Sequence, residues 1–341
     1  MKKKTAPLFC IGIDIAAETF VAQIFHRETG EVSGSREFPQ TSEAYEALAV
    51  WVAQHHRIKR SILFVMESTG NFSHKLCYWL HEHGYYVAVA DAFRISRSDR
   101  PNHPKNDHAD SRRIAEYGMR HFDQLTRWKP ADPVLARINK LLGIRELLVR
   151  INTMCRNQLY ALRFELSEQH DLCDLLKEEI TLRRKKILLI EKKIITAIKE
   201  HERFHTAAAL ICSVPGCGWL MAANLLVITD GQTDDLNHRS LANYLGIAPH
   251  EHTSGTSIRR RARTSRLGPP RMRKILFLAS WTLRAHHQHF RLWYQQMIQR
   301  GKPKRSALNA IANKLLKIIC SILRKNKPYD ETFVSGKPLN L

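Results

Sequence analysis

The chain has 341 residues, 54 Lys+Arg against 32 Asp+Glu, and a formal net charge of +22. Its 44% hydrophobic and 25% charged content excludes a disordered polymer and implies two or three globular domains. No apolar run reaches the ~18–20 residues of a membrane span, no signal peptide follows the lysines at 2–4, and seven scattered cysteines without a Cys-x-x-Cys pair argue against a zinc site or disulfide framework, predicting a cytoplasmic protein.

Residues 8–25, LFCIGIDIAAETFVAQIF, read as two strands with a turn near 16–18, since Ile, Val and Phe favour the extended chain. A third strand is predicted over 31–38. TSEAYEALAVWVAQHH then reads as a helix capped by Thr41 or Ser42, with Ala44, Leu48, Trp51 and Val52 at helical spacing. SILFVME (61–67) and YYVAVAD (85–91) are continuous apolar runs, as buried strands are. Between them HKLCYWLHEHG forms a helix stopped by Gly84. After a polar, proline-containing loop (94–106), DHADSRRIAEYGMR starts another helix. This order predicts an α/β layer with mixed strands.

Residues 130–204 differ. Ile138, Leu141, Leu148, Cys155, Leu159, Leu162 and Leu166 step by threes and fours, with Arg145 and Asn152 in the same stripe. A second stripe runs Leu176, Ile180, Ile187, Ile190, Ile194, Ala197, and HDLCD between the two suits a turn. The pattern predicts a coiled-coil helical hairpin, serving equally well as an intramolecular pair or a dimerisation stalk. From 206 onward the chain reads as mostly α-helical, broken by glycine and proline. The predicted domains are therefore 1–125, 126–205 and 206–341.

Charge is segregated along these segments. Between Glu251 and Asp330 there are 19 Lys/Arg and no carboxylate. A solvated helix face normally mixes signs, whereas a polyanion partner accounts for one sign alone. Arg259, Arg260, Arg261, Arg263, Arg266, Arg271, Arg273 and Lys274 are the candidate nucleic-acid contacts. VPGCGWLMAANLL (214–226) fits a helix-hairpin-helix turn, in which Gly216 and Gly218 let the backbone approach a phosphate. A tight turn between packed helices would use the same glycines.

Four carboxylates carry candidate chemistry. Asp14 lies in the apolar strand IGIDIAAET, where a charge is costly to bury unless paired or metal-bound. Glu67 ends the next apolar strand, and Asp107 and Asp110 share one face at a helix start. Each alone suits a cap or strand end. Together they could hold two Mg²⁺ ions that stabilise the attacking and leaving oxygens of phosphoryl transfer. Ser254, beside Gly255 and ahead of the arginines, could attack a phosphodiester, but neighbouring hydroxyls compete and the residues alone favour a Ser-Gly turn beside a plain phosphate-binding patch.

GIDIAAETF, MESTG, the Lys105–Asp110 run, VPGCG, LANYLGIAPHEHTSG, the basic run ending LRAHH, and GKPKRSALNAIANKLLKII resemble, in this order, the DEDD-type insertion-sequence transposases described as bridge-RNA-guided recombinases. The resemblance implies an RNase H-like, RuvC-like N-terminal domain with Asp14, Glu67, Asp107 and Asp110 as metal-binding tetrad. It implies a dimerising middle and a C-terminal domain carrying Ser254 as nucleophile, with carboxylates and serine supplied by different subunits. It also implies a structured guide RNA that pairs with target and donor DNA, and a dimer that assembles into a tetramer. Asn106, Ser111 and Trp219 depart from the family's usual Thr, Ala and Pro. The leading expectation is a DNA transposase. A RuvC-like junction-resolving nuclease needs the same tetrad but little of the +18 C-terminal region. A non-catalytic nucleic-acid-binding protein would not need all four carboxylates.

Overall fold

The computed structural model describes residues 6–30, 32–68, 70–98, 106–164, 170–254, 258–265 and 268–330. Two compact units divide the chain, 1–130 and 131–341.

The first unit is a mixed five-stranded sheet with helices. Strands β1 (Phe9–Ile15), β2 (Thr19–His26) and β3 (Arg36–Pro39) run antiparallel. β4 (Ile62–Glu67) pairs parallel with β1, and β5 (Tyr86–Ala90) parallel with β4, giving the order β3-β2-β1-β4-β5. Helix α1 (Ser42–His55) is capped by the Thr41 side chain, which accepts from the Ala44 amide, as its Thr-x-x signal predicts. α2 (His74–Glu82) and a short α3 (Ala92–Arg97) follow. α3 occupies the start of the predicted loop, nucleated by Asp91, whose side chain accepts from Phe93 and Arg94 amides. The third strand is shorter than predicted: only a single bridge, Phe25 to Val32, precedes Arg36.

Alternation along the strands builds two cores. Ile11, Ile13, Phe64 and Met66 face one way with Leu48 and Leu76. Cys10, Leu63 and Val65 face the other way with Ile114 and Tyr117 of α4 (Asp107–Arg120).

The second unit is helical apart from one hairpin. α5 (Pro133–Ala161) and α6 (His170–Lys199) pack antiparallel, since Arg145 Nε donates to Glu191 at 2.6 Å while Arg183 lies against Cys155. HDLCD is the first turn of α6, not the connection. The base of this pair (Leu135, Ile138, Leu142, Ile194, Ile198) shares one core with the helices that follow. Those are α7 (Glu202–Ser213), α8 (Trp219–Ile228), α9 (His238–Tyr244), α10 (Pro270–His286), α11 (Gln288–Gln299) and α12 (Lys304–Lys325). α12 is, among the described residues, the one helix long and apolar enough to cross a membrane, and 56% of its apolar window is buried; Leu308, Ile311, Leu315 and Ile319 lie in that shared core. Two strands interrupt the helices, β6 (Pro249–Ser254) and β7 (Ile258–Thr264). Sequence periodicity missed them because alternating polar and basic residues carry no buried face to read.

Candidate active site

β1 and β4 set the first pair of carboxylates. Their parallel register joins Gly12 to Val65 and Ile13 to Met66. Asp14 and Glu67 are the next positions along, side by side on neighbouring strands. Both fall on the face of Cys10 and Val65, the face that α4 covers.

Two glycines bring α4 onto that face. A Cβ on Gly12 would lie 2.1 Å from the Ser111 carbonyl oxygen, and one on Gly118 would lie 2.5 Å from Val65 Cγ2 and 2.6 Å from Cys10 Sγ. Gly118 therefore sits over Cys10, and Ser111 and Ala115 over Gly12. α4 runs antiparallel to β1, and its first turn, with Asp107 and Asp110, reaches the Asp14 end of the strand. The Asn106 side chain accepts from the Ala109 amide at 2.7 Å and caps that turn. Asn caps a helix as well as Thr does, so the departure from the family residue keeps the function of the position. Ser111 is fully buried, and its hydroxyl donates to the His108 carbonyl at 3.0 Å, so the replacement of Ala strands no polar group.

Burial and the three neighbouring carboxylates act on Asp14 in the same direction. The Asp14 carboxyl is pushed from its ordinary 3.8 up to about 6, by burial first and then by Asp110, Asp107 and Glu67, with the Ile15 backbone opposing. Arg113 pairs with Asp110 at 3.0 Å, and His108 Nδ1 lies 2.6 Å from Ser35 Oγ. Sequence reading missed Arg113; its i+3 spacing from Asp110 was the available signal. Carboxylate oxygens are the donor set of a hard divalent cation, so these residue types suit Mg²⁺ by charge and chemistry. Among the described residues, no three His, Cys, Asp or Glu side chains converge at metal-holding distance.

In the second unit, Gly216 has φ +75°, and a Cβ there would press on Ala279 O and Leu283 at 3.3 Å. The 215–218 turn is thus packed on α10, and Gly218 opens α8 without a side-chain cap. Trp219, in place of the family's proline, stacks with His205 and takes the Lys199 ammonium 5.3 Å from its ring. Arg271 donates to Asn139 Oδ1 at 2.9 Å, and burial lowers its pKa against the opposing pull of Glu146. Arg273 donates to the Gly268 carbonyl; Lys274 and Arg263 are exposed.

Ser254 ends β6, with its backbone opposite Ile258, and Arg259 and Arg260 lie opposite Thr253 and His252. The side chains of Ser254, Arg259, Arg260 and Arg261, and all of Arg266, lie outside the described residues, as do Lys105 and Thr69. Both ends of the hairpin are pinned. Asn309 and Asn313 of α12 each donate to the Ile247 carbonyl, at 2.8 and 2.9 Å, just ahead of β6. Beyond β7, Gly268 has φ +101°, and a Cβ there would lie 2.1 Å from Tyr244 O. Two asparagines four apart beside the buried apolar stripe of α12 were the unread signal for these pins.

A family model described as "Transposase", of the IS110 DEDD type, matches residues 11–162, and the "Transposase IS116/IS110/IS902 family" model matches residues 193–295. The chain is 26% identical over 324 residues to the pilin gene-inverting protein of Moraxella lacunata, covering 94% of this chain and 97% of that one. It is 25% identical over 251 residues to a putative transposase of Sinorhizobium fredii, covering 66% and 64% of the two chains. It is 25% identical over 252 residues to the transposase for insertion sequence element IS1111A of Coxiella burnetii, covering 66% and 68%. With both models falling in order along it, the chain belongs to the IS110 family of DEDD-type transposases.

Proposed function

We propose that this transposase cuts and rejoins target and donor DNA under the guidance of a structured RNA, using Ser254 as nucleophile and a Mg²⁺-binding tetrad of Asp14, Glu67, Asp107 and Asp110. The observation that carries the catalytic part is the pressure of three carboxylates, from β4 and from the first turn of α4, on the half-buried Asp14 of β1. The sheet order β3-β2-β1-β4-β5, with α4 across β1, supports an RNase H-like, RuvC-like domain at 1–125. When bound, Mg²⁺ supplies Lewis-acid charge at the scissile phosphate.

The chain's own part is to place groups. β1, β4 and the capped start of α4 carry the four carboxylates to one end of the sheet. Ser254 is on β6, the strand that pairs with the one carrying Arg259, Arg260, Arg261 and Arg263, and their charge favours the alkoxide and the transition state. Gly216, Gly218, Arg271, Arg273 and Lys274, with Arg266, hold phosphates. Segment 126–205 acts as a coiled-coil hairpin that dimerises the chain, and two dimers form the active tetramer, with tetrad and serine supplied by different copies. The protein is cytoplasmic and without a membrane partner, consistent with the burial of α12.

The test is a denaturing gel of end-labelled DNA incubated with guide RNA, Mg²⁺ and protein. Wild type forms a covalent adduct whose linked peptide contains Ser254. Asp14→Asn and Ser254→Ala each abolish it alone, and a mixture of the two recovers it. Cleavage by Ser254→Ala without any adduct would establish water as nucleophile and return the junction-resolving nuclease.

A further inference from the structure

α10 buries Met272, Leu276, Ala279, Ser280 and Leu283 in the core of the second unit. Its opposite face does not follow the usual polar pattern of a solvated helix. Leu278 is 55% exposed, Trp281 50% and Phe277 38%, and they stand at i, i+1 and i+4 on one side of the helix. Three large apolar groups on one exposed stripe are a patch, not scattered surface residues. Cations surround them: exposed Lys274 lies one turn before, and Arg284 sits 4.5 Å from the Trp281 ring and 5.1 Å from the Tyr294 ring. α10 itself contains four Lys/Arg and no carboxylate.

The stripe borders a cleft. Lys274, Leu278 and Thr282 line a cavity of about 550 Å³ together with Met221, Asn224 and the carboxylates Glu146 and Glu191. Asn224 is 1% exposed, and its Nδ2 donates to the Leu220 carbonyl at 2.7 Å, leaving Oδ1 with no hydrogen-bond partner.

We infer that this face of α10, with the cleft beside it, binds unpaired nucleotides of a nucleic-acid strand, with bases stacking on Trp281 and Phe277 and phosphates following Lys274 and Arg284. The inference rests on the nucleic-acid reading above and narrows it to single strands. Aromatic rings interleaved with cations are how proteins hold unpaired strands, because every base has a π-face and every link a phosphate. A duplex keeps its base faces stacked inside and leaves the apolar stripe unserved. A second copy of the chain would set the basic surface against itself, since residues 252–329 hold 19 Lys/Arg and no carboxylate.

The experiment uses the full chain and three 20-nucleotide probes: single-stranded RNA, single-stranded DNA, each carrying one central 2-aminopurine, and the matching DNA duplex. Wild type should quench 2-aminopurine in at least one of the single strands through base stacking, and the two strands show whether the site favours RNA or DNA. Trp281→Ala should weaken that strand about tenfold, the loss of one stacked base, and leave duplex affinity within twofold. Trp281→Phe should retain most of the binding, while Lys274→Ala should lower the salt dependence. Equal losses for strand and duplex, unchanged affinity in folded Trp281→Ala, or no quenching by wild type would each overturn the inference. A Trp281→Ala protein that changes its mass by light scattering while holding the strand normally would instead assign the face to protein assembly. Failure of every probe to bind would overturn the nucleic-acid reading itself.

Discussion

The carbonyl oxygen of Ser111 stands where Gly12 would carry a side chain: a Cβ there would approach it to 2.1 Å, with Ala115 N at 2.2 Å. Both neighbours are backbone, so neither can rotate away. Gly12 thereby lets α4 lie directly on β1 and sets how far its first turn reaches past Asp14. Gly12→Ala forces α4 off the sheet. We expect a loss of about 1–3 kcal/mol of stability, as overpacking a core costs, and loss of DNA cleavage even where the variant remains folded. Thermal melts and cleavage assays read the two effects separately; wild-type cleavage by a folded Gly12→Ala protein would show that the position of α4 does not matter.

Asp14 makes a pH prediction in the presence of chelator. Its folded carboxyl titrates near 6, above its ordinary 3.8. The folded state therefore holds this proton more tightly than the unfolded state. Below pH 3.8 both states are protonated and Asp14 costs nothing; the cost grows as pH rises through this window and is complete above pH 6. For a half-exposed group, solvent screening limits it to about 1 kcal/mol. Asp14→Asn should melt higher than wild type at pH 7.5 and nearly level with it at pH 4. Added Mg²⁺ should raise the melting temperature of wild type more than that of the variant. A gap that widened on acidification would carry the wrong sign.

The helical pair separates two kinds of apolar stripe. Leu148, Cys155 and Leu159 are half-buried, whereas Ile144, Leu147 and Met154 are exposed on α5, as Leu175, Leu182 and Leu189 are on α6. The exposed leucines on α6 recur every seven residues, the spacing of a seam. Ile144→Glu with Leu147→Glu should convert a dimer to a folded monomer. Leu148→Glu with Leu159→Glu should instead lower helix content, because charge then enters the seam between α5 and α6. Light scattering and circular dichroism distinguish these outcomes, and a wild-type monomer would remove the stalk from the assembly.

The Ile247 carbonyl accepts from both Asn309 and Asn313. Each bond is worth roughly 0.5–1.5 kcal/mol. Asn309→Ala with Asn313→Ala should loosen the entry to β6, lower the yield of the Ser254 adduct by at least tenfold, and leave duplex DNA affinity within twofold. Equal loss of binding and adduct would show that the pair supports the whole unit and not the hairpin alone.

The sequence by itself determined the elements whose information is local. Burial of Ile11, Ile13 and Phe64 is written in their apolar runs, the cap of α1 in Thr41, and the anomaly of Asp14 in the hydrophobicity of its neighbours, because each follows from residues a few positions apart. Charge segregation was equally legible, since it needs no fold. Tertiary structure alone decided that α4 crosses β1 antiparallel and so brings Asp107 and Asp110 toward Asp14, through the contacts of Gly12 with Ser111 and of Gly118 with Cys10, about a hundred residues apart in the chain. It also decided which stripe of α5 meets α6, that the basic segment after Ile247 forms a hairpin held by α12, and that Trp281 points outward. Each depends on partners distant in the chain, and hydrophobic periodicity marks a residue as apolar without naming what it packs against.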